Sequence, residues 1–140
     1  MGYCINLIDA DFFISGQNKG KALEAIKKMA GSVSHLAWVN NNEVLESETL
    51  ENAMDCFRWP LVPDDDLDLG DIVNINFEGE KSGSEDELFA CLAPFVRHGS
   101  WIEVHGEDGA SWRHYFMNGK LYGVVPTITW DIDKEMDVCE

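Results

Sequence analysis

The chain has 140 residues, 45% of them hydrophobic, with 26 Asp and Glu against 10 Lys and Arg, for a formal net charge of −16. That length predicts one domain, 1–140, burying roughly 70% of its unfolded-chain surface, and the hydrophobic share is too high for a disordered acidic tail. The charge excludes direct recognition of nucleic acid or of anionic membranes, because both depend on Lys and Arg meeting phosphates.

Tyr3 to Ile14 is an apolar, β-prone run interrupted by Asp9 and Asp11. A helix is predicted over Asn18–Ala30, where Ala22, Leu23, Ile26, Met29 and Ala30 recur at helical spacing and Gly31 suits the C-terminal cap. His35–Asn40 reads as a short strand before an Asn-Asn-Asn turn at 40–42. A second helix starts at a Thr49 cap, runs through Leu50, Ala53, Met54 and Phe57, and is stopped by Pro60. Leu61–Asp71 reads as a loop, and Ile72–Glu78 as a strand with Val73, Ile75 and Phe77 on one face. The third helix opens on a Ser84-x-x-Glu87 capping box, buries Leu88, Cys91, Leu92 and Phe95, and should kink or end at Pro94.

Asp108-Gly109 and Asn118-Gly119 each predict a two-residue hairpin turn, hence an antiparallel meander of Trp101–Gly106, Ser111–Met117 and Lys120–Trp130. The expected class is α+β, with a mainly antiparallel sheet, three helices and a C-terminal β-meander. The segments 8–40 and 72–106 share a β-α-β order, an arrangement resembling a ferredoxin-like sandwich with an appended hairpin. The cysteines, at 4, 56, 91 and 139, form no C-x-x-C pair, which fits a reduced, cytoplasmic setting better than a disulfide framework.

Charge is unevenly placed. Residues 1–34 hold three acids against four lysines, whereas 35–140 hold 23 acids against six basic residues. The densest stretch, 43–71, has ten acids with Arg58 alone against them, and Glu78, Glu80, Glu85, Asp86 and Glu87 form a second cluster. Such clusters are either solvated surface or a face that occupies the Lys and Arg of a partner's nucleic-acid channel. Asp64, Asp65, Asp66, Asp68 and Asp71 are candidate partner-binding residues on the second view. A calcium loop starting at Asp64 would need Gly at Leu69 and Glu at Ile75, so no bound cofactor is expected.

A two-residue turn at Asp108-Gly109 pairs Glu103 with His114, Val104 with Arg113 and His105 with Trp112. Trp101, Glu103, His105, Trp112, His114 and Phe116 would then share one face. Trp101, Trp112 and Phe116 are candidate anchors for a protein partner. Glu103, His105 and His114 could instead form an acid/base cluster or a three-ligand metal site, the enzymatic alternative. The bland alternative is an ordinary cross-strand pair. G-x-S-x-G, P-loop, G-x-G-x-x-G and H-E-x-x-H motifs are all missing.

The stretch from Glu78-Gly79-Glu80-Lys81 through Gly106-Glu107-Asp108-Gly109 to Trp112-Arg113 and Asn118-Gly119-Lys120 is similar to small acidic proteins of bacteria and their phages that share a G-E-D-G-x-x-W-R hairpin. The resemblance covers about the C-terminal half and implies no catalytic residue. Size and acidity resemble those of phage anti-CRISPR proteins and of immunity proteins against nuclease toxins. That likeness implies a non-enzymatic inhibitor or adaptor acting on a basic protein, such as a nuclease or CRISPR effector, in the cytoplasm of a bacterial host. A housekeeping protein-interaction domain is the remaining alternative.

Overall fold

In the computed structural model, which describes residues 2–32, 36, 39–64 and 70–132, the N-terminal apolar run forms strand β1 (Ile5–Asp11). Strand β1 pairs with β4 (Trp101–Gly106), β4 with β5 (Ser111–Met117), and β5 with β6 (Lys120–Val124), all antiparallel. The result is a four-stranded sheet in the order β1-β4-β5-β6. Strands β2 (Leu61–Pro63) and β3 (Ile72–Ile75) make a separate antiparallel pair. The helices are α1 (Lys19–Ser32), preceded by a 3-10 turn at Gly16–Asn18, then α2 (Asn41–Leu45), α3 (Leu50–Cys56) and α4 (Glu85–Leu92).

The class is therefore α+β with a mainly antiparallel sheet, carrying four α-helices among the described residues where three were expected. The ferredoxin-like arrangement is not formed. Strands β3 and β4, which flank α4, lie in different sheets, and β1 and β4 are antiparallel neighbours. The expected strand at 35–40 falls largely outside the described residues; Leu36 and Val39 form an isolated bridge. No described helix is long and apolar enough to cross a membrane.

Local chemistry accounts for the differences. Asn40 was read as part of a turn, but its side chain accepts the amides of Asn42 and Glu43 and so caps α2. Thr49 caps α3 as expected, accepting from the Asn52 amide at 3.1 Å. Helix α1 continues through Gly31 to Ser32, so Gly31 is not its cap; the Asn41 side chain instead donates to the Ala30 carbonyl at 3.0 Å. Ser84 makes no side-chain cap bond to α4, and the Glu85 carboxylate takes the Gly83 amide in place of the predicted capping box. Pro94 acts as expected: α4 ends at Leu92 and tightens into a 3-10 turn at Ala93–Phe95. The supposed loop at 61–71 begins with strand β2, and a register shift at Pro63 makes β3 bury Ile72 and Ile75 while Val73 stays exposed.

One hydrophobic cluster unites the inner sheet face with the helices. Its centre is a chain of aromatic contacts: Phe77 on Trp59 at 4.5 Å, Trp59 on Phe89 at 5.1 Å, Phe89 on Phe116 at 6.1 Å and Phe116 on Phe12 at 5.5 Å. The last three are edge-to-face, the geometry in which a positive ring edge meets a negative ring face.

Candidate functional site

The β4–β5 hairpin closes one residue earlier than expected. Gly106 and Ala110 are joined by an amide–carbonyl bond of 2.8 Å, leaving a three-residue loop of Glu107, Asp108 and Gly109, with Gly109 at φ 87°. This is a turn followed by a left-handed residue, the usual three-residue hairpin solution. Glu103 therefore faces Arg113, His114 faces Ile102, and Trp112 faces Val104. A one-residue slip sends side chains to opposite faces. The predicted single face is split accordingly: Trp101, Glu103 and His105 lie on the outer side, and Trp112, His114 and Phe116 on the inner side.

The proposed Glu103–His105–His114 site is thus not assembled. Glu103 accepts from Arg113 Nε at 2.8 Å and lies 3.4 Å from His105 Nε2, while the Arg113 guanidinium sits 4.2 Å over the Trp101 ring. These contacts compensate a carboxylate rather than free it as a base. Among the described residues no three His, Cys, Asp or Glu side chains are placed to hold a metal ion. Cys91 offers no nucleophile either, because burial pushes its thiol up to about 12. Phe116, expected as a partner anchor, is core.

His114 is a satisfied core histidine. It stacks edge-on against Phe89 at 4.9 Å, and its Nε2 accepts from Trp112 Nε1 at 3.3 Å, which places the ring proton on Nδ1, 3.9 Å from Asp86. Burial holds its pKa below the ordinary histidine value, with the Asp86 carboxylate opposing. A depressed pKa means the stability it carries is intact above the unfolded value of about 6.5 and is lost as pH falls toward the folded value. His114→Gln keeps an acceptor for Trp112 but cannot titrate. The difference in melting temperature between wild type and this variant should shrink on going from about pH 7.5 to about pH 5. A difference that ignores pH would show that burial does not depress this histidine.

The G-E-D-G-x-x-W-R residues each have a structural task. Asp108 accepts the Ala110 amide at 3.1 Å and the Tyr3 hydroxyl; that bond pushes the Tyr3 pKa up and holds the Asp108 carboxyl below its usual range. Glu107 accepts the Cys4 amide at 3.1 Å, and its own amide donates to the Cys4 carbonyl at 2.9 Å. Gly106 leaves room for the Tyr3 ring, which also lies 6.4 Å from Trp112. The motif clamps the N-terminal strand to the hairpin.

Sequence reading did not anticipate the cleft of about 390 Å³ between the end of α3 and the segment 77–85. Phe57, Trp59 and Phe77 contribute to its apolar wall, and Arg58, Lys81, Glu78, Glu80 and Glu85 to its polar lining. Arg58 stands at φ 66°, a left-handed conformation rare for a long side chain, and no ion pair engages it among the described residues. Glu85 is buried, and that burial raises its pKa. A Cβ at Gly79 would collide with the Phe77 ring, so only glycine fits the rim there. The signal available was the run Trp59-Pro60 after a helix and Glu78-Gly79-Glu80-Lys81 after a strand, which nothing in the sequence brings together.

Among the described residues Glu43 on α2, Glu46 and Glu48 between α2 and α3, and Asp55 on α3 are exposed, as are Glu78 and Glu80 at the cleft and Asp86 and Glu87 on α4. Of the acidic-loop candidates, Asp65, Asp66 and Asp68 lie outside the described residues. Asp71 is half-buried and accepts the Gly16 amide at 2.7 Å, and the Asp64 amide donates to the Asp71 carbonyl at 3.0 Å. No protein-family model, curated protein or solved structure matches the chain.

Proposed function

We propose that the protein is a non-enzymatic inhibitor or adaptor that presents a carboxylate surface to a basic, nucleic-acid-handling protein, of the phage anti-defence (anti-CRISPR) or toxin-immunity type. One observation carries the reading: among the described residues Glu43, Glu46, Glu48, Asp55, Glu78, Glu80 and Glu87 are exposed and make no ion pair with Lys or Arg. The ion pairs of Lys19, Arg97 and Arg113 go instead to Glu51, Asp11 and Glu103. A domain that exposes carboxylates without neutralising them tolerates self-repulsion, and it gains attraction for a cationic surface that normally meets phosphates.

The test uses a purified CRISPR effector and a purified nuclease toxin, each assayed for DNA cleavage and for binding across a salt series. The variant Glu46→Gln, Glu48→Gln, Glu78→Gln, Glu80→Gln alters exposed side chains that have no described ion pair. It should slow association on the order of tenfold at low ionic strength, with little change in dissociation, since surface charges steer encounter. Tight inhibition insensitive to both salt and the four neutralisations would assign binding to another surface.

A further inference from the structure

The alternation of β6 continues where its pairing stops. From Tyr122 the even positions read Val124, Pro126, Ile128, Trp130 and Ile132, while the odd positions beyond Pro126 read Thr127, Thr129 and Asp131. That is the period of a half-buried strand. Yet β6 ends at Val124, and Ile128, Trp130 and Ile132 are 75%, 91% and 97% exposed. The pairing ends for a local reason: Val124 faces Arg113, so Pro126 would face Ser111, where β5 begins. A tight turn with Val125 and Pro126 as its two corners, which would return 127–132 along the free edge of β6, is disfavoured by a trans proline at its second corner.

We propose that residues 120–132 pair antiparallel with the same residues of a second copy, about a two-fold axis at Pro126, joining two four-stranded sheets into one. In the two-residue hairpin that links β5 to β6, Met117 and Lys120 flank the turn as its hydrogen-bonded pair. Lys120, Tyr122 and Val124 thus direct their amides to β5, and Leu121, Gly123 and Val125 direct theirs to the open edge. By the same alternation Thr127, Thr129 and Asp131 face that edge too. The two-fold at Pro126 sets Leu121 opposite Asp131 of the second copy, Gly123 opposite Thr129 and Val125 opposite Thr127, every donor row meeting an acceptor row. Pro126 meets its own copy at a non-hydrogen-bonded position, where a missing N–H is harmless.

Side chains agree with this register. Asp11, Trp101, Tyr115 and Tyr122 form one cross-strand row on the outer face. Trp130 of the second copy would extend that row beside Tyr122, and Ile128 of the second copy would lie beside Val124. Ile128, Trp130 and Ile132 expose on the order of 400 Å² per copy. Strand pairing over 120–132 of each copy, with the flanks of these side chains packed along the outer-face rows, puts the contact at the low end of the roughly 1,200–2,000 Å² of a stable interface. Only Lys120 and Asp131 are charged within 120–132, so the contact keeps the acidic clusters apart.

Sedimentation of the full chain across a concentration series should show a dimer of twice the 15.7 kDa chain mass. Trp130→Asp alters a side chain exposed in the single copy, so the fold and its circular dichroism should persist. It should weaken dimerisation on the order of 30-fold or more if Trp130 is an interface anchor. In a Cys139→Ser background, Pro126→Cys should cross-link to itself on mild oxidation, because the two-fold brings that position onto its own copy. A wild type monomeric at every concentration, its arm lying on its own sheet or awaiting a different protein, overturns the proposal. A Trp130→Asp variant that dimerises like wild type, or a dimer that Pro126→Cys does not cross-link, overturns it equally.

Discussion

Replacing Phe116 with Ala should lower the free energy of unfolding by about 3–5 kcal/mol, moving the urea midpoint far more than any partner affinity. The ring is fully enclosed, edge-on to Phe12 at 5.5 Å and to Phe89 at 6.1 Å. Its removal forfeits apolar transfer and leaves a cavity whose walls, the sheet and α4, are held by their own hydrogen bonds and cannot collapse fully. Trp101→Ala is the contrast. It lies on the outer face against Arg113 and should cost about 1 kcal/mol, the scale of a partly exposed cation–π contact. Equal losses for the two variants, or a Phe116→Ala protein that folds normally but fails to bind, would return Phe116 to the surface.

That contrast depends on the point where the sequence was hardest to read. Asp108-Gly109 carries the signature of a two-residue turn, and the alternative differs by a single residue in register. What selects the longer loop is contact from elsewhere in the chain: Glu107 is bonded to Cys4, and Asp108 to Tyr3. Neither partner is visible from the hairpin alone. A cue was present, however, since Ile102 and Val104 alternate with Glu103 and His105, and the apolar pair has to face the core. Setting Trp112 and Phe116 of β5 on the same face as Ile102 and Val104 would have put His114 inside as well.

Signals that act within a few residues were legible. Thr49 caps α3, Pro94 ends α4, and Asn118-Gly119 closes a two-residue turn with both residues at positive φ. Helix α2 was misread because asparagine does the same chemistry in both settings: a side-chain oxygen that binds amides two and three residues ahead serves a turn or a helix start. The cleft was illegible for another reason. Its walls come from segments about 20 residues apart, set beside each other by the β2–β3 pairing and by the Glu78 amide bonding the Arg58 carbonyl at 2.9 Å.

Gly106→Ala should destabilise the fold by about 1–3 kcal/mol, the usual cost of forcing volume into a filled site. A Cβ there overlaps the Tyr3 hydroxyl and ring, so Tyr3 must leave its place over Trp112 and release Asp108. Tyr3→Ala should also destabilise, through lost ring packing. The two changes remove the same arrangement, so they should not add: in a Tyr3→Ala background, Gly106→Ala should cost close to nothing. Tyr3→Phe separates the ring from its hydroxyl, and it should lose only the hydrogen bond to Asp108 while still clashing with Ala at 106. Urea unfolding of wild type, Gly106→Ala, Tyr3→Ala and their double variant decides the matter. Strict additivity would mean that Gly106 is required for its backbone rather than for the space it leaves, and the clamp between the N-terminus and the hairpin would lose its steric basis.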